Sequence, residues 1–340
     1  MKILVTGAAG FIGYHLILNL VKNKDNQVVG IDNLNTYYDV NLKYSRLADC
    51  GIAENAVVKN SLIKSTVFDN YHFQQTDIID YDVLDEFFKT QQFDYVLNMA
   101  AQAGVRYSIE NPRTYVQTNL VGFNNLLECC RNYKIKHLLY ASSSSVYGMN
   151  AKVPFSEDDK VDHPVSLYAA TKKSNELMAH VYSNLFQLPT SGLRFFTVYG
   201  PSGRPDMSPM LFADAISAGR AIKVFNHGDM LRDFTYVDDI VEGVVRLIEK
   251  APDASTERPY YRVFNLGNSQ PVALMDFIKI MEQALGKEAK LDMLPMQPGD
   301  VKVTYADTTK LQELTNYKPS TSLKDGIAKF ITWYNSYHSA

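Results

Sequence analysis

Ile3-Leu4-Val5-Thr6-Gly7-Ala8-Ala9-Gly10-Phe11-Ile12-Gly13 joins an apolar run to a helical pattern through three spaced glycines. Ile3 to Thr6 reads as a buried strand, and Leu16-Ile17 to Leu20-Val21 continues at helical spacing. Between them, Gly7 permits a tight turn, Gly10 lets backbone N–H groups approach a pyrophosphate, and Gly13 allows close helix packing. The N-terminal dipole of that helix favours an anion. The spacing is G-x-x-G-x-x-G rather than the commoner G-x-G-x-x-G, so its weight comes from context. Asp32 ends Val28-Val29-Gly30-Ile31-Asp32, where a carboxylate accepts hydrogen bonds from an adenosine ribose. This predicts NAD rather than NADP, since a 2′-phosphate would be repelled and no arginine follows until Arg46. The plainer reading, turn glycines and a solvated acid, does not account for strand, loop, helix and acidic strand end occurring together.

Short apolar runs alternate with helical stretches over the first 200 residues: Ile3 to Thr6, Gln27 to Ile31, His72 to Gln75, Tyr95 to Met99, His137 to Ala141 and Thr190 to Phe195. Such a βαβ series predicts an α/β fold, a Rossmann doubly wound parallel sheet whose ligands lie at the carboxyl ends of the strands. The polar, partly helical connection from Asn33 to Tyr71 is long for this class and is placed to cover a bound cofactor. Past Phe196, Pro201, Pro205, Pro209, Pro295 and Pro298 suggest a smaller, mixed α/β substrate-binding part made of loops and short elements. Val237 to Glu249 reads as a helix and Val263 to Leu266 as a strand returning to the sheet. The expected boundaries are 1–196 with 232–267 for NAD and 197–231 with 268–340 for substrate.

Composition agrees with a soluble enzyme. Hydrophobic residues are 46%, charged residues 21% and net charge −3, with no single-sign block to bind nucleic acid. Cys50, Cys129 and Cys130 show neither metal-ligand spacing nor an even disulfide set, so a reducing cytoplasm and no metal are expected. Glycines interrupt the apolar amino terminus, and no membrane-length segment occurs elsewhere.

Tyr168-Ala-Ala-Thr-Lys172 carries the candidate chemistry. With 22 tyrosines and 23 lysines among 340 residues, chance predicts about 1.5 Tyr-x-x-x-Lys pairs, so this single instance also needs context. Helical spacing puts both side chains on one face, where an ammonium stabilises a phenolate and lowers a tyrosine pKa that is ordinarily about 10. The run Ala141-Ser142-Ser143-Ser144-Ser145-Val146-Tyr147-Gly148 places hydroxyls at the end of the fifth strand. At least one of those serines is expected to bond backbone instead. Asp77, after the third strand, reads either as an adenine contact or as a helix cap.

Glycine loop, Asp32, serine run and Tyr168/Lys172, in this order, resemble the extended short-chain dehydrogenase/reductase family along nearly the whole chain. Within it the UDP-glucuronate 4-epimerases are resembled most at Gly30 to Asn35, Ala100 to Ser108, Leu193 to Pro201, Gly203 to Met207, Arg232 to Asp239 and Met296 to Val301. The resemblance implies an NAD site formed by Gly7, Gly10, Phe11, Ile12, Gly13, Asp32, Asn33, Asn35, Asp77, Ile78, Ala100, Ala101, Gln102, Asn119, Ser142, Tyr168 and Lys172. It implies that Tyr168 takes the C4 hydroxyl proton, Lys172 tunes it, Ser143 orients the hydroxyl, and the hydride is lent to NAD and recovered on the opposite face. For the substrate it implies Ser143, Ser144 and Arg106 near the sugar, Thr197 and Arg204 at the C6 carboxylate, and Arg232 and Asp300 at the diphosphate and uridine ribose. Arg204, Arg232 and Asp300 also read simply as surface charges.

Departures from relatives narrow the expected substrate to UDP-glucuronate. Galactose epimerases usually carry Arg at Gln297, Tyr at Phe195 and Asn at Thr197; 4,6-dehydratases place Asp-Glu where Ser144-Ser145 stand. UDP-glucose or UDP-N-acetylhexosamine epimerisation, UDP-glucuronate decarboxylation and a non-enzymatic NAD-binding sensor or scaffold remain alternatives. Apolar faces around Pro112 to Arg131 and Val165 to Leu185 fit either a core or a homodimeric four-helix interface.

Overall fold

The computed structural model describes residues 1–255, 258–297 and 300–339. Pro298 and Gly299 of the Met296 to Val301 segment lie outside the described residues.

The chain opens with β1 (Lys2–Thr6), α1 (Phe11–Leu20), β2 (Gln27–Asp32), α2 (Asn41–Asp49), β3 (Leu62–Lys64), β4 (Tyr71–Gln75) and α3 (Tyr81–Gln91). There follow β5 (Tyr95–Asn98), α4 (Tyr107–Glu110), α5 (Pro112–Tyr115), α6 (Phe123–Asn132), β6 (His137–Ser143), α7 (Leu167–Phe186) and β7 (Thr190–Phe195). The remainder comprises β8 (Thr197–Tyr199), α8 (Ser208–Ser217), β9 (Ala221–Val224), β10 (Leu231–Tyr236), α9 (Val237–Leu247) and β11 (Tyr261–Leu266). It closes with β12 (Pro271–Ala273), α10 (Leu274–Leu285), β13 (Lys290–Met293), α11 (Thr309–Thr315) and α12 (Leu323–Ser339).

Ile3, Leu4 and Val5 of β1 are wholly buried, as in a parallel strand covered by helices on both faces. The eight-stranded sheet runs β11-β7-β6-β5-β1-β2-β4-β3. β1 is parallel to β2 and β5, β2 to β4, and β5 to β6, whereas the edge strand β3 is antiparallel to β4. The order reverses at β1, so a ligand crevice opens at the carboxyl ends of β1 and its neighbours. All seven expected strands occur within two residues of their expected ends. The 33–71 connection holds α2 and, unforeseen, β3.

The chain divides into two compact units: 1–146, 164–194 and 244–264, and 147–163, 195–243 and 265–340. The second thus takes in 147–163, 195–196, 232–243 and 265–267, which the sequence boundaries gave to the nucleotide part. In the first, Leu4, Val29, Ile31, Phe88, Val96, Leu126 and Leu138 belong to one buried cluster that also contains Cys129 and Cys130. All three cysteines are free and buried, and burial pushes the Cys50 and Cys129 thiols up to about 12.

The second unit contains the three-stranded arrangement β12-β10-β8 and the pair β13-β9. Its prolines overstate its irregularity, since α8, α10 and α12 run 10, 12 and 17 residues. Pro209 lies in the first turn of α8, where a missing N–H costs nothing. Phe234 stacks on Phe277 with centroids 4.3 Å apart.

Candidate active site

At Gly7 the backbone takes φ +69°, and a Cβ there would stand 2.8 Å from the Ala100 nitrogen. A Cβ on Gly13 would stand 2.1 Å from the Gly7 carbonyl oxygen. These residues are glycine because backbone fills the space. Gly10 caps α1 without a side-chain hydrogen bond, so first-turn N–H groups, including those of Phe11 and Ile12, face an end suited to a phosphate. The cradle therefore fits a dinucleotide.

Asp32, at the end of β2, accepts from the N–H groups of Ala9 (3.2 Å) and Leu34 (2.8 Å). Lys43 Nζ lies 3.6 Å from its carboxylate and donates to Asn35 Oδ1 at 3.0 Å. Arg46, 1% exposed, donates Nη1 to the Ala9 carbonyl and the Tyr38 hydroxyl, both at 2.8 Å. Arg46 therefore lies closer to the glycine turn than its distance in sequence from Asp32 suggests, and Lys43 is a second cation there that the sequence reading did not name. Their i, i+3 spacing on α2 was the available signal. Asp32 is thus not a bare negative charge, and its suitability for ribose rests on accepting hydroxyl hydrogen bonds.

Asn33 donates Nδ2 to Asp77 Oδ2 at 2.9 Å, and the Ile79 N–H donates to Asp77 Oδ1 at 3.1 Å. The cap of α3 is Asp80, which accepts from the Val83 N–H; the capping alternative for Asp77 therefore does not hold. On the other side of β1, the Ala100 N–H donates to Thr6 Oγ1 at 3.1 Å, and half-buried Ala101 follows. Asn119, in the π-helical turn Val116–Gly122, accepts from the Gln102 N–H at 2.8 Å and donates to its carbonyl at 3.0 Å. Ile78 packs against the same turn, where a Cβ on Gly122 would stand 2.7 Å from Ile78 Cγ1. Such π turns recur at functional sites.

Ser166 starts α7 by accepting the Ala169 N–H at 3.1 Å, which places Tyr168 and Lys172 one turn apart near the helix start. Tyr168 is half-buried and Lys172 buried, with Lys172 Nζ 6.0 Å from the Tyr168 ring centroid. Nζ donates to the Ala141 carbonyl at 2.9 Å, and burial pulls the lysine pKa down to about 7. Ser143 Oγ accepts from the Ser145 N–H and donates to Ser145 Oγ, each at 3.1 Å. Ser144 is half-buried. Ser142 turns its hydroxyl inward to Glu176 Oε1 at 2.8 Å. Glu176 lies one turn beyond Lys172, outside the Tyr-x-x-x-Lys spacing that marks the helix in the sequence. It also receives Nε and Nη2 of Arg194 at 2.8 Å each, joining the end of β6, α7 and β7. Arg106 is exposed at the start of α4.

In the second unit, half-buried Thr197 lies on β8, opposite Phe234 of β10. Arg204 engages Asp206 through Nε and Nη2, at 3.0 and 2.5 Å. Arg232 donates Nη1 to the carbonyls of Leu231 and Lys302 at 2.9 and 3.0 Å. Burial lowers its pKa while the Asp300 charge opposes that shift. Gln297 Oε1 is buried without a hydrogen-bond partner among the described residues, leaving an acceptor for a ligand donor. Among the described residues no cluster of three His, Cys, Asp or Glu side chains is arranged to hold a metal ion.

A family model described as the NAD dependent epimerase/dehydratase family matches residues 3–267. Protein CapI of Staphylococcus aureus is 51% identical, with 99% of this chain and 99% of that protein covered. A probable UDP-glucuronate 4-epimerase of Rhizobium meliloti is 45% identical, with 98% of this chain and 97% of that protein covered. The crystal structure of UDP-glucuronic acid 4-epimerase from Bacillus cereus in complex with UDP-glucuronic acid and NAD matches with a TM-score of 0.86 at 34% identity, covering 99% of this chain and 100% of that one.

Proposed function

The chain belongs to the NAD dependent epimerase/dehydratase family, and we propose that it interconverts UDP-glucuronate and UDP-galacturonate by transient oxidation at the sugar C4. The observation that carries this reading is buried Lys172, one helical turn from half-buried Tyr168 and bonded to the strand that ends in Ser143, in a chain similar over its whole length to UDP-glucuronate 4-epimerases. The enzyme is an isomerase whose cofactor is NAD.

Bound NAD supplies what no side chain can, a site that accepts the C4 hydride and gives it back. Tyr168, as phenolate, takes the C4 hydroxyl proton and later returns it. Lys172, with its pKa lowered to about 7 by burial, gains from the opposite charge of a phenolate and in turn stabilises it. Ser143 orients the hydroxyl by hydrogen bonding. The Gly7/Gly10/Gly13 turn and the start of α1 bind the pyrophosphate, and Asp32 accepts from the adenosine ribose. Asn33, Asn35, Asp77, Ile78, Ala100, Ala101, Gln102 and Asn119 shape the rest of the cofactor site. Because the Ser142 hydroxyl goes to Glu176, Ser142 contributes to this site through its backbone. Thr197 and Arg204 serve the C6 carboxylate, whose burial calls for a cation and donors. Arg232 and Asp300 serve the diphosphate and uridine ribose, and Ser144 and Arg106 the sugar.

Incubation with UDP-glucuronate, analysed by chromatography, should give the C4 epimer without added reductant or loss of CO2. UDP-pentose with CO2 would mark a decarboxylase, and turnover of UDP-galactose alone would remove the carboxylate argument.

A homodimer is part of the proposal. Leu177, Val181 and Leu185 are 57%, 47% and 63% exposed at i, i+4 and i+8 on α7, an apolar stripe suited to a second copy of the helix. Val181→Glu should shift a dimer toward monomer in light scattering, and a native monomer would contradict this part. No described helix is long and apolar enough to cross a membrane. With three free thiols, a cytoplasmic setting is proposed.

A further inference from the structure

The segment leaving β2 makes an aromatic contact that the proposed chemistry does not use. The Tyr37 and Tyr107 ring centroids are 4.7 Å apart. The Tyr37 hydroxyl abuts Gly104, where φ is +99° and a Cβ would stand 2.4 Å from Tyr37 Oη. Both sides of this contact are anchored. Tyr115 Oη is shared between the carbonyls of Ala103 and Gly104, at 2.7 and 2.5 Å. On the other side, the Tyr37 N–H donates to Asn35 Oδ1 at 3.3 Å, and the neighbouring Tyr38 hydroxyl accepts from Arg46.

Topology gives this contact its meaning. β1 stands between β5 and β2 and is parallel to both, so three carboxyl ends lie side by side with the glycine turn in the middle. Tyr37 comes from the end of β2; Gly104 and Tyr107 come from the end of β5. Their contact joins the two flanks of β1 across the turn that cradles the pyrophosphate.

We propose that Tyr37 is a gate residue, closing the dinucleotide site so that NAD is released only when Tyr37 leaves Gly104 and Tyr107. The inference rests on the NAD-dependent epimerase reading above. A reaction that returns its hydride to the same sugar needs no cofactor exchange, whereas a net dehydrogenase must release the changed cofactor every turnover. A gate held from both sides suits the first. Glycine at position 104 leaves room for the closing hydroxyl.

Exchange of bound NAD against isotopically labelled NAD, read by desalting and mass spectrometry of the extracted nucleotide, tests the gate without any turnover. Tyr37→Ala should exchange about tenfold faster than the native protein, the scale set by losing one aromatic contact. Tyr37→Phe, which keeps the ring on Tyr107, should fall between them. Gly104→Ala should accelerate exchange by pushing the hydroxyl out. Equal rates in native protein and Tyr37→Ala would overturn the gate, as would complete exchange in native protein within the desalting time. UDP-glucuronate turnover is assayed separately with excess NAD: its absence in the native protein sinks the epimerase reading, while the exchange rates still judge the gate.

Discussion

Replacing Glu176 with glutamine should destabilise the first unit by about 3–5 kcal/mol, the usual cost of leaving one member of a buried ion pair without its partner. The side chains of Glu176 and Arg194 are 1% and 3% exposed, and two parallel 2.8 Å hydrogen bonds join them. Burial opposes the charge on Glu176, but Arg194, Lys173 and Ser142 outweigh it and hold the carboxyl below its ordinary range. The pair's contribution is therefore present above that range and lost as pH falls through the lower folded value. Glutamine keeps the shape and one acceptor but leaves the guanidinium charge buried and uncompensated. Because two units need not unfold together, peptide-level hydrogen exchange over 137–145 and 167–194 is the appropriate assay, with urea unfolding beside it. The double variant Glu176→Gln/Arg194→Gln removes both charges and should be less destabilised than the sum of the single changes by about 2 kcal/mol. Single variants within about 1 kcal/mol of native, or strict additivity, would show that the two charges do not depend on each other for their burial.

Tyr168→Phe should reduce turnover by about 10²–10⁴-fold or more while retaining bound NAD; near-native turnover would reject Tyr168 as the base. Gly13→Ala puts a methyl 2.1 Å from a backbone carbonyl oxygen, so the purified variant should lack NAD, and full occupancy would show that the cradle tolerates the change. His137 is buried with its ring nitrogens 3.0 Å from the Ile248 carbonyl and 2.8 Å from Ser191 Oγ, and burial pulls its pKa to about 4. The unfolded chain takes up this proton from about pH 6.5 downward while the folded chain resists until about 4, so stability should fall by up to about 3 kcal/mol across that window. Urea midpoints unchanged between pH 7 and 4.5 would contradict it.

The sheet was legible because its central strands are buried on both faces and read as apolar runs, with Gly7 and Asp32 marking where β1 and β2 end. Tyr168, Lys172 and Ser143 were legible for a related reason: each sits at a strand end or one helical turn from its partner. Contacts made across the fold were not. Lys43 and Arg46 lie in a polar connection whose composition does not reveal that α2 returns to the glycine turn. The Glu176 and Arg194 pair joins a helix to a strand 18 residues on, and neither residue belongs to the Tyr168-x-x-x-Lys172 motif of α7. Arg204 was picked out as a cation, but its engagement by Asp206 depends on the turn of the intervening loop. Prolines after Phe196 suggested loops, whereas Pro209 begins a helix.

Deuterium at the sugar C4 separates a hydride that is lent and recovered from a hydrogen that exchanges with solvent. UDP-glucuronate carrying deuterium at C4, incubated with the enzyme in ordinary water without added reductant, should give UDP-galacturonate that retains the label at C4, as seen by NMR. Loss of the label to solvent, with epimer still formed, would contradict a lent and recovered hydride.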